Sequence, residues 1–126
     1  MITTICALAT MLTTCPESAV ASRYDLSPTV HTLQARLDMG HITPEQVAQA
    51  DGFVAVGDCS RIGEWVYVKA HNAADWLKML VFDCAGDAES AAFMEHVAVE
   101  VDYWTAQAWG FTCECAWPVE VVRPWQ

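Results

Sequence analysis

Asp102 stands directly before an aromatic pair, Tyr103-Trp104, with Trp109 shortly after it. A carboxyl group held among apolar rings loses the solvation its charged form needs and keeps its proton to higher pH, which is the property a general acid requires. The same Asp precedes a helical turn over 103–109, where a side-chain oxygen can instead accept backbone N–H groups as an N-cap, stabilising by about 1 kcal/mol. Both roles are open for Asp102. Asp83 opens the turn Asp83-Cys84-Ala85-Gly86 and Asp58 begins a turn-rich stretch over 58–63. Each is placed to bond backbone amides of its own turn. Six tryptophans, at 65, 76, 104, 109, 117 and 125, offer flat faces on which a sugar ring could stack, although the bulk of Trp more commonly fills a core. Trp104 and Tyr103, adjoining Asp102, are the aromatic residues best placed to bind a substrate.

Other chemistries find no support in the spacing. Cys113-x-Cys115 and the histidines at 31, 41, 71 and 96 supply donor types for a metal, but no two histidines lie four residues apart and a Cys-x-Cys step is not a zinc knuckle. No metal and no cofactor is expected. A Gly-rich phosphate loop is absent, and neither Ser60 nor Ser90 sits in a Gly-x-Ser-x-Gly elbow.

The elements that must position these residues change character along the chain. Residues 22–51 form a helical lead-in: Ser27-Pro28 offers a cap and a first-turn proline, Val30, Leu33 and Leu37 share one face, Gly40 suits a helix end, and Thr43 and Gln46 have capping-box spacing. From Gly52 the period becomes that of strands, over 53–56, 65–68 and 77–82. A short helix over 87–96, an extended run over 97–101, a helical turn over 103–109 stopped by Gly110 and a last strand over 119–123 complete the pattern. Five or six short strands with small helical inserts predict a mainly β, compact barrel.

Residues 2–12 are apolar or Thr-rich and uncharged, Pro16 interrupts them, and Ala19-Val20-Ala21 follows as a small-x-small cleavage site, so residues 1–21 are expected to be a secretion signal. The apolar run is too short to span a membrane. Leu12-Thr13-Thr14-Cys15 resembles a lipid-attachment box, which makes an anchor at Cys15 the lesser alternative. Removal of Cys6 and Cys15 with the signal leaves Cys59, Cys84, Cys113 and Cys115, an even number that suits an oxidising compartment. A bridge between Cys113 and Cys115 would be strained, so Cys59–Cys84 is the expected pair, the alternative being a distant partner for each of the other two. Loss of Glu17 would take the net charge from −10 to −9. So acidic a chain with scattered basic residues is not expected to bind nucleic acid or anionic lipid, and neutral polymers, small molecules or basic proteins are easier partners. A secreted or periplasmic monomer is expected.

Three segments in order, Val54-Ala55-Val56-Gly57-Asp58-Cys59-Ser60-Arg61-Ile62-Gly63, then Leu80-Val81-Phe82-Asp83-Cys84-Ala85-Gly86, then Val99-Glu100-Val101-Asp102-Tyr103-Trp104-Thr105-Ala106-Gln107-Ala108-Trp109-Gly110, resemble the double-psi β-barrel superfamily of rare lipoprotein A, barwin and expansins. The resemblance covers residues 52–123 and implies a six-stranded double-psi β-barrel domain over 52–126. It further implies a protein that acts on or binds cell-wall polysaccharide, with glycan-strand cleavage as its reaction, Asp102 as proton donor and Asp83 as assisting carboxylate. Two departures stand out. Asp102 is followed by Tyr103-Trp104 where Leu-Ser is usual, and Gly57 or Asp58 replaces a histidine, with Asp58 as the substitute acidic group. The missing histidine favours the alternative of a non-catalytic secreted module, of barwin-like or inhibitor type, that binds glycan or another protein.

Overall fold

The computed structural model describes residues 15–125. Six strands, β1 (Glu17–Arg23), β2 (Gly52–Val56), β3 (Trp65–Ala70), β4 (Leu77–Cys84), β5 (Val99–Val101) and β6 (Trp117–Val122), close into a barrel in the order β1-β5-β2-β4-β3-β6. Pairs β1/β5 and β2/β4 are parallel and the other four are antiparallel. Closure leaves no strand edge unpaired. Four α-helices decorate the barrel: α1 (Leu26–Asp38), α2 (Pro44–Gln49), α3 (Ala88–Met94) and α4 (Tyr103–Trp109).

Alternation along the strands builds two cores. Val54, Val56, Val66, Val68, Met79, Val81, Val99, Val101, Val119 and Val121 point into the barrel, joined by Ala106 and Trp109 of α4 and by Phe111. The opposite face of β2 and β4 presents Phe53, Leu80 and Phe82 to Ile42 and to Leu33 and Leu37 of α1. Beta-branched residues dominate the inside because a small barrel has room for short, stiff side chains on a pleated wall. Gly52 is required where β2 passes α4: a Cβ there would meet Met79 Cε at 2.7 Å, Asp102 Oδ2 at 2.9 Å and the Thr105 hydroxyl closer still.

Strand β1 changes the expected boundaries. Ala21 pairs with Val99 of β5 and Trp117 of β6 and is fully buried, so the barrel begins at Glu17 and not at residue 52. Excision after Ala21 would remove five of the seven residues of β1 and open the barrel between β5 and β6. The remainder of the expected signal, residues 1–14, lies outside the described residues. Helix α1 begins at Leu26 with Asp25 as its N-cap residue, so Ser27-Pro28 falls inside the first turn; Thr29, Leu33 and Leu37 face the barrel while Val30 is 43% exposed. Thr43 and Gln46 form the reciprocal capping box of α2. Cys59 and Cys84 are disulfide-bonded with Cα atoms 4.9 Å apart, tying the turn after β2 to the end of β4. Cys113 and Cys115 lie within disulfide reach of one another, with Cα atoms 5.3 Å apart. Cys15 also belongs to a disulfide. Pairs at bonding distance suit an oxidising compartment. No helix among the described residues is long and apolar enough to cross a membrane.

Candidate functional site

Asp102 is 1% exposed and its carboxylate is consumed by structure. Oδ1 accepts the Thr105 N–H at 2.9 Å, closing the N-cap of α4, and Oδ2 accepts the Phe53 N–H at 2.7 Å and the Thr105 hydroxyl at 2.7 Å. It therefore ties α4 to β2 from within, and it opens onto no groove described below. The helix it caps ends at Gly110, whose φ of +78° places it in the left-handed region that glycine adopts without a Cβ clash. Tyr103 donates its backbone N–H to Thr29 Oγ1 at the contact between α4 and α1. Trp104 is 45% exposed beside it.

Asp58 is likewise a cap. Its Oδ1 accepts the Ser60 N–H at 2.9 Å and the Ser60 hydroxyl at 2.7 Å at the head of the short 3-10 turn Cys59–Arg61. The Ser60 hydroxyl, then the Ser60 amide, hold the Asp58 carboxyl below its ordinary range. It borders a groove of about 680 Å³ whose rim is laced by the ion pairs Arg61–Asp58 and Arg123–Glu17, with Arg61 also stacked over Trp125. Charges paired in this way are spoken for.

Asp83 stands elsewhere. The pairing of β2 with β4 shifts register between Val54 and Ala55, so Val54 faces Val81 but Ala55 faces Asp83. Such a bulge re-aims the strand that carries it, and here Phe82 enters the outer core while Asp83 emerges opposite Ala55. Arg36 of α1 grips both residues, donating from Nε to the Phe82 carbonyl at 3.0 Å and from Nη2 to Asp83 Oδ1 at 2.9 Å; its third nitrogen lies 2.9 Å from His41 Nδ1. Tyr24 donates its hydroxyl to Asp83 Oδ2 at 2.5 Å. Burial, then the Asp83 carboxylate that receives its proton, push the Tyr24 phenol far above its usual range, so it remains a donor at any physiological pH.

On the other side of Ala55 lies Glu100 of β5, its register partner. Asp83, Ala55 and Glu100 thus form one row across three strands on the barrel's outer face, and adjacent strands lie about 4.8 Å apart. Ala55 is almost completely buried and has only a methyl group, so the two acids flank a shallow floor. Helix α3 crosses above and supplies Glu89, Ser90, Phe93 and Met94, enclosing a groove of about 380 Å³ with Tyr24, Asp83 and Glu100. Asp87 caps this helix through the Ser90 N–H at 2.8 Å. Desolvation raises the Glu100 carboxyl to about 7, with the Asp83 charge adding to the rise. The Ser22 hydroxyl opposes this rise by more than Asp83 adds to it, although, buried as it is, it closes no full-length hydrogen bond. Glu100 consequently retains its proton in part at neutral pH, beside a carboxylate that is paired with Arg36.

Of the acidic and aromatic residues singled out in the sequence, Asp83 alone stands in this groove, with Cys84 of the expected bridge beside it; Asp102, Asp58, Tyr103 and Trp104 do not line it. Glu100 and the half-exposed Phe93 were not anticipated. Both signals are faint: Glu100 is the polar member of Val99-Glu100-Val101, which reads as an ordinary solvent-facing position, and Phe93 sits in a run with no other aromatic residue. Among the described residues no cluster of His, Cys, Asp or Glu could hold a metal. No protein-family model matches this chain, and no curated protein is significantly similar to it.

Proposed function

We propose that this is an exported double-psi β-barrel that binds a cell-wall type polysaccharide in the groove between Asp83 and Glu100 and cleaves its glycan strand there. The observation that carries the reading is the Glu100 carboxyl, raised to about 7 next to the Arg36-paired Asp83 in an accessible groove. An acid that holds its proton near neutral pH can protonate a glycosidic oxygen as the bond breaks, and a second carboxylate in a different environment favours the positive charge developing on the sugar ring. Glu100 takes the role of acid that the resemblance assigned to Asp102, and Asp83 keeps that of assisting carboxylate. Phe93 supplies the apolar platform in place of Trp104. The crossed strand order and the two parallel pairs support the double-psi reading. The acidic surface suits a neutral polymer.

A non-catalytic binding or inhibitor module is the second reading, and the hydrogen bonds that already occupy both oxygens of Asp83 favour it. The two separate when purified protein and a Glu100→Gln variant are incubated with peptidoglycan and with β-glucan, following released fragments and pull-down together. Release by the parent, lost in the variant with pull-down retained, supports catalysis. Pull-down without release by either leaves the module, and neither release nor pull-down on any polymer defeats the glycan assignment.

A further inference from the structure

We infer that the outer wall of β3 is a second binding site, for a carboxylate-bearing polysaccharide whose sugar rings lie on Trp65 and Tyr67 and whose acid groups meet Lys69 and Lys78. In the closed order β1-β5-β2-β4-β3-β6, β3 stands three strands from β5 in either direction. The wall therefore faces away from the groove at Glu100, and the inference stands apart from the chemistry proposed there.

Alternation along β3 turns Val66, Val68 and Ala70 into the barrel and sets Trp65, Tyr67 and Lys69 outside, where each is only partly buried. Lys78 of β4 is the cross-strand partner of Tyr67, and such partners project from the same face of a sheet. Pro124 and Trp125 follow β6 and, with Glu64, Trp65 and Tyr67, enclose an open groove of about 460 Å³. Aromatic side chains that are apolar in body and polar at the tip suit a ligand with one apolar face and many hydroxyls, as a sugar ring has. Closure of the barrel leaves β3 no free edge, so a peptide could not add here as a further strand and would forgo the main-chain hydrogen bonds that give such partners their affinity. A glycan has no such requirement.

The charges select an acidic glycan over a neutral one. The chain has six basic residues in a net charge of −10. Each of the four arginines is held in an ion pair, Arg23 with Asp25, Arg36 with Asp83, Arg61 with Asp58 and Glu64, and Arg123 with Glu17. Among the described residues the two lysines are in no ion pair, and both adjoin Tyr67 on this wall. Lys78 Nζ lies 4.1 Å from the centre of the Trp65 ring, which holds the ammonium against the aromatic platform. The acids nearby are engaged or set apart. Glu64 pairs with Arg61, Asp51 accepts the Lys78 backbone N–H at 2.8 Å, and Glu120, the register partner of Lys69, makes no ion pair with it. At physiological ionic strength a charge is felt over about 8 Å, so the two ammonium groups, and not the net charge of the chain, govern an anion that docks on this wall.

The test is calorimetric titration of the full chain with a linear oligogalacturonate, with the same oligomer as its neutral methyl ester, and with polyglutamate. The acidic oligomer is expected to bind saturably, with an affinity that falls as salt rises. A K69Q/K78Q double variant should melt close to the parent and bind the oligomer about tenfold more weakly, whereas K69R/K78R should retain binding. Tyr67→Ala should weaken binding without changing its salt dependence. Equal affinity for the methyl ester, equal affinity for polyglutamate, undiminished binding by K69Q/K78Q, or no binding of the oligogalacturonate would each overturn the inference.

Discussion

Replacing Asp102 by alanine removes three hydrogen bonds at one buried point, and their sum distinguishes a structural carboxylate from a catalytic one. The Phe53 N–H at 2.7 Å is left inside the barrel wall with no acceptor in reach, the Thr105 hydroxyl at 2.7 Å loses its partner, and the Thr105 N–H at 2.9 Å loses its cap. An orphaned buried donor costs about 1–3 kcal/mol, and the missing cap about 1 kcal/mol. With the hydroxyl included, a loss of about 4 kcal/mol is expected, which at roughly 4 °C per kcal/mol for a chain of this size lowers Tm by about 15 °C. Asp102→Asn, which preserves shape but turns one acceptor into a donor facing other donors, should lose about half as much. Urea denaturation of both variants at constant m-value reads these losses directly. A cost below about 0.5 kcal/mol in Asp102→Ala, within the range of ordinary surface substitutions, would refute the buried-cap reasoning and reopen the role of Asp102 as an acid.

Glu100 gives the pH dependence. Its folded-state value, about 7, lies above the ordinary 4.5, so the folded protein holds this proton more tightly than the unfolded chain does. The resulting stability is fully present below 4.5 and is lost as pH rises through 7. Relative to parent, Glu100→Gln should gain Tm progressively across that window, and a Tm difference constant with pH contradicts the assignment. Loss of the Cys59–Cys84 bridge in a C59S/C84S variant frees a loop with a sequence separation of 25 and should cost up to about 3.5 kcal/mol by loop entropy, read by denaturant midpoint. N-terminal sequencing of protein recovered after export should find a start at or before Glu17, because Ala21 pairs on both sides in the barrel; a start at Ser22 would be incompatible with β1 as described.

What the sequence discloses about this fold follows from where local chemistry suffices. Helix α4 is legible to the residue, because Asp102 caps it and Gly110 ends it by backbone requirements that belong to those positions alone. Strands β2, β3 and β4 announce themselves as short runs rich in β-branched, aromatic and other apolar residues, and the Thr43–Gln46 box marks α2. Strand β1 does not. Glu-Ser-Ala-Val-Ala-Ser-Arg has little β-branched or aromatic content, and its conformation comes from the two strands that flank it, while Ala19-Val20-Ala21 imitates a processing site. The candidate site divides in the same way. Asp102 and Asp58 signal helix starts that they do cap, which is why their carboxylates are not free for chemistry. Glu100 acquires its raised affinity for a proton only from desolvation on the barrel wall and from Asp83 two strands away, a juxtaposition that needs both the β4 bulge and the parallel pairing of β2 with β4. No window of sequence contains those partners together.

The most direct test of the groove assignment is a nuclear magnetic resonance titration of the isotopically labelled protein with soluble peptidoglycan and β-glucan oligosaccharides. The account predicts saturable shifts at Ala55, Asp83, Ser90, Phe93 and Glu100, weakened when Ala55→Leu fills the floor between the two acids. Shifts confined to Trp104 and its surroundings, or no shifts with either oligosaccharide, would contradict it.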